Sequence, residues 1–201
     1  MDNAYITLPL GRLEANCYIV DCGSVAAIID PGDCAERIIG ELERLGLPAG
    51  AVLITHGHFD HVGAARALNE KYACPVWRSK KDDDLPPVLA NDAFYTDCYA
   101  DGDAVTVGNC RFEVIETPGH SKGSVCLKCG GMIFTGDTLF RGSCGRVDLP
   151  GGCLSEMNAS LARLASLPGD PVVLPGHGEA TTLEYERAHN AFMPRAHARR
   201  Q

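Results

Sequence analysis

His56, His58, Asp60 and His61 fall within six positions of AVLITHGHFDHVGAA, residues 51–65. Neutral imidazole nitrogen and carboxylate oxygen are the donors that suit zinc, iron or manganese. Three further residues of the same kind follow in short Gly-containing turns: His120 in TPGH, Asp137 in FTGD and His177 in LPGH. Five of the seven histidines of the chain lie in these four segments. A closed tetrahedral site needs only four ligands, so seven candidates suggest two ions sharing a carboxylate, with positions left open for water. His189 and His197 lie outside any such turn and read as ordinary side chains.

Each segment follows an apolar run. VLIT (52–55) precedes His56, FEVIET (112–117) precedes His120, MIFT (132–135) precedes Asp137 and PVVL (171–174) precedes His177. Read as strands of a layered α/β fold, these runs should deliver their turns to one edge, because sites collect outside the carboxyl ends of strands. Adjacent strands would bring all four together. Gly57, Gly119, Gly136 and Gly176 are expected to let the backbone turn sharply there.

Further strands are expected over 4–10, 16–22, 25–30, 75–77, 104–107 and 124–129, each bounded by turn residues. Ile38, Ile39, Leu42 and Leu45 fall at helical spacing, which predicts a helix over 34–45 stopped by Gly46. Helices are also predicted over 62–72, 154–167 and 183–192. Residues 80–99, with Asp82-Asp83-Asp84 and Pro86-Pro87, read as a surface excursion with a short helix. No linker divides the chain, and strands alternate with helices in both halves, so a single domain over 1–201 with sheets covered by helices is expected.

Composition narrows the function. The 201 residues are 45% hydrophobic and 22% charged, ordinary for a globular domain with a sizeable core. The formal net charge of −8 argues against a nucleic-acid partner. The basic cluster at 195–200 reads as a solvated terminus. No run approaches the roughly 18 apolar residues of a membrane span, and the N-terminus lacks a secretory pattern. Ten cysteines in a chain of this size read as reduced, mostly buried thiols of a cytoplasmic protein. Cys126 and Cys129, three apart on a strand, should face opposite sides. Cys144 reads as a small filler near the site, and Ser121 and Ser124 as turn hydrogen-bonders.

The order and spacing of His56-x-His58-x-Asp60-His61, His120, Asp137 and His177 resemble the metallo-β-lactamase superfamily over nearly the whole chain. Within it THGHFDHVGA, TPGHSKGS, FTGDTLFRGSCGRVDLPGG and LPGHGEATTLEYERAHNAF are most similar to short glyoxalase II-like hydrolases. The resemblance implies an αββα sandwich of two mixed sheets flanked by helices. It implies one ion on His56, His58 and His120, a second on Asp60, His61 and His177, and Asp137 bridging them. Zinc is the first expectation, with iron or manganese as alternatives. Glyoxalase II cleaves S-lactoylglutathione and carries a helical C-terminal domain; this chain ends 24 residues past His177 and is expected to lack most of it. Arg146 stands where the family has a basic residue that meets a glutathione carboxylate, but the family's aromatic residue two positions on is Asp148 here.

The expected activity is therefore hydrolysis of a small-molecule thioester, glutathione-linked ones such as S-lactoylglutathione among the candidates, by a hydroxide bridging two ions, with Asp60 orienting it and a thiolate leaving without a strong acid. Two other enzymes fit the same ligands: a glutathione persulfide dioxygenase with one iron on His56, His120 and Asp137, whose RG-x-GR-x-D loop resembles RGSCGRVD (141–148), and a lactonase or other ester hydrolase. A structural or binding module is a different class, disfavoured because its site would be closed. The sequence is silent on oligomeric state.

Overall fold

The computed structural model describes residues 4–90 and 94–194. The basic cluster at 195–200 and His197 lie outside the described residues. A first sheet has the order β1 (Tyr5–Leu10), β2 (Ala15–Asp21), β3 (Ala26–Ile29), β4 (Ala49–Leu53), β5 (Val76–Arg78) and β6 (Asp97–Cys98). Its first three strands are antiparallel and β3 to β6 are parallel. The later strands are β7 (Ala104–Val107), β8 (Cys110–Glu116), β9 (Val125–Cys129), β10 (Met132–Gly136), a small hairpin of β11 (Leu139–Phe140) and β12 (Ser143–Cys144), then β13 (Val172–Pro175) and β14 (Thr181–Thr182). All but the hairpin form a second sheet, in the order β14-β13-β10-β9-β8-β7. Both sheets are mixed, as expected for the sandwich.

Period-two patterning builds three apolar layers. Val20, Ile29, Leu53, Phe112, Leu127 and Phe134 point between the sheets. Ile19, Ile28 and Val52 point outward, under α1 (Ala35–Leu45) with its buried Ile38 and Leu42. Ile133 and Val173 point out on the other side, under α5 (Leu154–Ala165) and its Met157, Leu161 and Leu164. Strands buried on both faces read as near-continuous apolar runs, which is why they are visible in the sequence. Each fully buried Leu or Ile contributes about 1.5–3 kcal/mol. Cys126 and Cys129 do face opposite ways, into the outer and the inter-sheet layer. No disulfide joins any of the ten cysteines, and six of them are buried. Among the described residues no helix is long and apolar enough to cross a membrane.

Three expectations are corrected. The helix over 62–72 is two helices, α2 (Phe59–Val62) and α3 (Ala65–Tyr72). The break exists because the loop at Pro31-Gly32 docks into it: Ala64 N donates to Pro31 O at 2.9 Å, and a Cβ on Gly63 would lie 2.3 Å from Gly32 O. The stretch 80–99 holds the expected short helix, α4 (Pro87–Ala90), but is more than an excursion, since it also carries a 3-10 turn (Lys80–Asp82) and β6. The last helix, α6 (Leu183–His189), stops short of 192 because Asn190 turns extended and its side chain donates to Phe140 O and Ser143 O.

Gly32 therefore carries a steric demand. A Cβ there would sit 1.7 Å from the carbonyl oxygen of Asp60. Gly32→Ala is expected to cost about 1–3 kcal/mol or more in urea unfolding. Gly40→Ala, in α1 with no atom within 4 Å of the added methyl, is expected to raise stability by about 0.5–1 kcal/mol.

Candidate metal centre

All seven candidate ligands meet at one rim of the sandwich. The four turns do not come from adjacent strands, however. β4, which leads to His56, belongs to the first sheet; β8, β10 and β13 belong to the second, with β9 between β8 and β10. The rim is where the two sheets are stitched: Val125 N donates to Thr55 O at 2.9 Å, and Asn16 N to Gly176 O at 2.7 Å.

The side chains form two groups of converging ligand atoms, His56 with His58 and His120, and Asp60 with His61 and His177. In the first, His120 Nε2 lies 2.8 Å from His58 Nδ1. In the second, Asp60 Oδ2 lies 3.6 Å from His61 Nε2 and 3.3 Å from His177 Nε2. Asp137 stands between them, Oδ2 at 3.4 Å from His120 Nε2 and 3.7 Å from His177 Nε2, Oδ1 at 3.5 Å from His61 Nε2. Nitrogens sharing one tetrahedral zinc, at about 2.0–2.1 Å each, sit roughly 3.3 Å apart. The separations around Asp60 and Asp137 match that spacing, while the His58–His120 pair is closer, at hydrogen-bonding distance.

The far side of each ring is anchored. His120 Nδ1 donates to Arg146 O at 2.8 Å, and His177 Nδ1 to Leu13 O at 3.1 Å. His61 Nδ1 donates to Asp30 Oδ2 at 3.0 Å. Asp30 Oδ2 also accepts from Thr55 Oγ1 at 2.6 Å, which leaves that oxygen to accept from His56 Nδ1 at 3.1 Å. These bonds fix the tautomers and leave Nε2 as the lone-pair donor. His56 Nε2, His61 Nε2 and Asp137 Oδ1, which face the centre, are buried with no hydrogen-bond partner. Buried polar atoms are normally satisfied, so this set fits divalent ions. Asp30, His56 and His61 also cluster, but Asp30 already holds three protein donors (Thr55 N at 2.7 Å is the third) and acts on the rings from behind.

Sequence reasoning missed Asp30, 2% exposed and held at φ 49°. The signal was present, since AAIID is one more apolar run ending in a carboxylate. Of the four turn glycines, Gly119 (φ 137°) and Gly136 take left-handed φ as expected, whereas Gly57 and Gly176 serve space instead. Gly57 takes no left-handed φ, whereas a Cβ on it would meet Arg78 Nη1 at 2.7 Å. Gly136 does take φ 45°, against Thr55. Arg146 lines the cleft, with Nε and Nη2 each 2.7 Å from an Asp148 oxygen. Ser121 and Ser124 bond each other within their turn, as expected.

Burial and the facing histidines push His56 well below the usual imidazole range, and His58 down to about 4. Burial also opposes charge on His61, but Asp137, Asp30 and Asp60 outweigh it and lift the ring to about 9. His177 is raised by its bond to Asp60. Burial would raise Asp60, but His177 and His61 hold it down at about 2. Above the centre opens a cleft of about 400 Å³, walled by Leu13, Phe59, Leu89, Phe140 and Leu149.

The family model of the metallo-beta-lactamase superfamily matches residues 10–177. The chain belongs to the metallo-beta-lactamase superfamily. A protein named hydroxyacylglutathione hydrolase GloC, from Haemophilus influenzae, is 36% identical over 92% of this chain and 96% of its own. The crystal structure of TTHA1623 in a di-iron-bound form superposes with a TM-score of 0.83 at 38% identity, covering 94% of this chain and 100% of that one. ETHE1 from Myxococcus xanthus does so with a TM-score of 0.81 at 30% identity, covering 94% and 83%. In this superfamily member the cluster is a metal-binding His/Asp centre, and the metal's identity is not fixed by the fold.

Two outcomes follow for the centre. Asp30→Ala should lower divalent-ion affinity roughly 10–100-fold in a chelator competition, and destabilise the metal-free fold by about 3 kcal/mol. His61, raised above its usual 6.5, stabilises the metal-free fold fully below 6.5 and loses that contribution as pH rises through about 9. An ion competes with the proton for Nε2, so affinity should rise from pH 7 to 9, with protons released on binding. Calorimetry in buffers of different ionisation enthalpy reads that release.

Proposed function

We propose that the protein is a two-ion thioester hydrolase acting on a hydroxyacyl thioester of the S-lactoylglutathione type. The observation that carries this reading is the pair of ligand groups meeting at Asp137 beneath an open cleft. His56, His58 and His120 would hold one ion, Asp60, His61 and His177 the other, and Asp137 would touch both. Zinc is the first candidate; the di-iron form of TTHA1623 keeps iron in view. Two such ions, when bound, supply a hydroxide at neutral pH and a Lewis acid for the carbonyl oxygen.

The chain's own residues do the rest. Asp60, held at about 2, stays ionised and orients the attacking group as a hydrogen-bond acceptor rather than as an acid. No buried acid is required at the leaving group, since a thiol's ordinary value near 8.5 lets the thiolate depart. Leu13, Phe59 and Phe140 pack on the substrate and exclude water from the reacting carbonyl. The Arg146 guanidinium, paired with Asp148 at the cleft wall, is offered as the contact for a carboxylate of the thiol carrier. The thiols without disulfides support a cytoplasmic, reducing location.

Protein purified without added metal is expected to carry about two ions per chain and to turn over S-lactoylglutathione. His120→Ala should lose at least about 100-fold in kcat/KM together with part of the metal. One iron per chain, with oxygen uptake on glutathione persulfide and no thioester turnover, would overturn this reading in favour of the dioxygenase.

A further inference from the structure

Asp82 is 1% exposed, although it sits in a stretch that reads as surface. It closes the 3-10 turn Lys80–Asp82, whose entry is capped by Ser79 Oγ accepting from Lys81 N. Its carboxylate reaches two different turns. Oδ2 accepts from Gly57 N at 2.8 Å and from Ser121 Oγ at 2.9 Å. Oδ1 accepts from Gly123 N at 2.7 Å. Gly57 lies between His56 and His58, while Ser121 and Gly123 directly follow His120. One buried carboxylate thus ties together the two turns that supply the first ligand group, and those turns come from different sheets.

The fit around it is close. A Cβ on Gly57 would lie 3.0 Å from Asp82 Cβ, and one on Gly123 would lie 2.6 Å from Asp82 Cγ. The Arg78 guanidinium, 2% exposed, flanks the same turn; it pairs with Asp83 and stacks over Tyr95. The second ligand group has other supports: His61 leans on Asp30 and His177 on Leu13 O.

We propose that Asp82 is a positioning residue for the ion held by His56, His58 and His120, setting the approach of His58 to His120, and that it acts on that ion selectively. This rests on the two-ion reading above. Supporting partners of metal ligands typically change affinity 10–100-fold when removed. A carboxylate is needed rather than an amide because all three partners are donors, and an amide presents one acceptor oxygen and a donor nitrogen in its place.

The test separates the two sites. His177→Ala leaves only the first group complete, and His120→Ala only the second. Metal-free protein in each background is titrated with zinc against a chromophoric chelator, and with cobalt(II) followed by its visible bands. Asp82→Asn should weaken binding roughly 10–100-fold and shift the cobalt bands in the His177→Ala background. It should change affinity less than about twofold in the His120→Ala background. Ser121→Ala, which removes one of the three bonds, should produce the same selectivity in smaller degree, and decides the matter if Asp82→Asn does not fold. Equal losses in both backgrounds, or none in either, overturn the inference while leaving two ions in the wild type. A wild type that binds no more than one ion overturns the two-ion reading and this inference with it.

Discussion

A single buried carboxylate, Asp30, sets the geometry on which the centre depends. Burying an ionised carboxylate costs several kcal/mol unless its oxygens are satisfied. Here Thr55 N, Thr55 Oγ1 and His61 Nδ1 satisfy them. The same three bonds orient two histidines at once. His61 is held directly, and His56 through the Thr55 hydroxyl, whose proton is committed to Asp30 so that its lone pair faces the ring. One charge thereby serves both ligand groups, and its loss would release both.

The position of Asp30 follows from the way the sandwich is closed. β3 ends beside β4, so Asp30 faces the residues just past β4. Those residues are themselves sewn to the second sheet, through Thr55 O to Val125 N. On the other flank, Tyr18 Oη donates to Pro175 O at 2.6 Å, beside His177. The ligand turns therefore sit at the seam between the sheets. Backbone hydrogen bonds across that seam hold the ligand turns at fixed separation, which is the preorganisation a metal site needs.

Much of this was legible in the sequence, and the parts that were not have physical reasons. The four ligand turns stand out because each ends an apolar run, β8 alone among them alternating with exposed residues such as Glu113; sheets covered by helices follow from alternating those runs with helices such as α1, while the αββα order is implied by the family resemblance. Which strands neighbour one another is not encoded in the runs. β4 and β10 look alike in the sequence and lie in different sheets. Two-residue strands such as β6 and β14 have no periodicity to detect. Asp30 was hidden by being assigned to its strand's end. Asp82 was hidden among three consecutive aspartates, of which it alone is buried; Asp83 and Asp84 are exposed.

The electrostatics of the centre follow from the same crowding. Asp30, Asp60 and Asp137 place three carboxylates around His61, and without an ion the cluster answers by holding a proton on that ring well above its usual range. His56 and His58, buried among other imidazoles, are driven the opposite way and stay neutral. The centre thus sets two neutral rings, His56 and His58, against an acidic surround in which His61 retains a proton. A cation taking His61 Nε2 must expel that proton, whereas one taking His56 or His58 meets a ring that is already neutral. The two groups therefore differ in their pH response even though they share Asp137, and this asymmetry comes from where the carboxylates sit rather than from any difference in the histidines themselves.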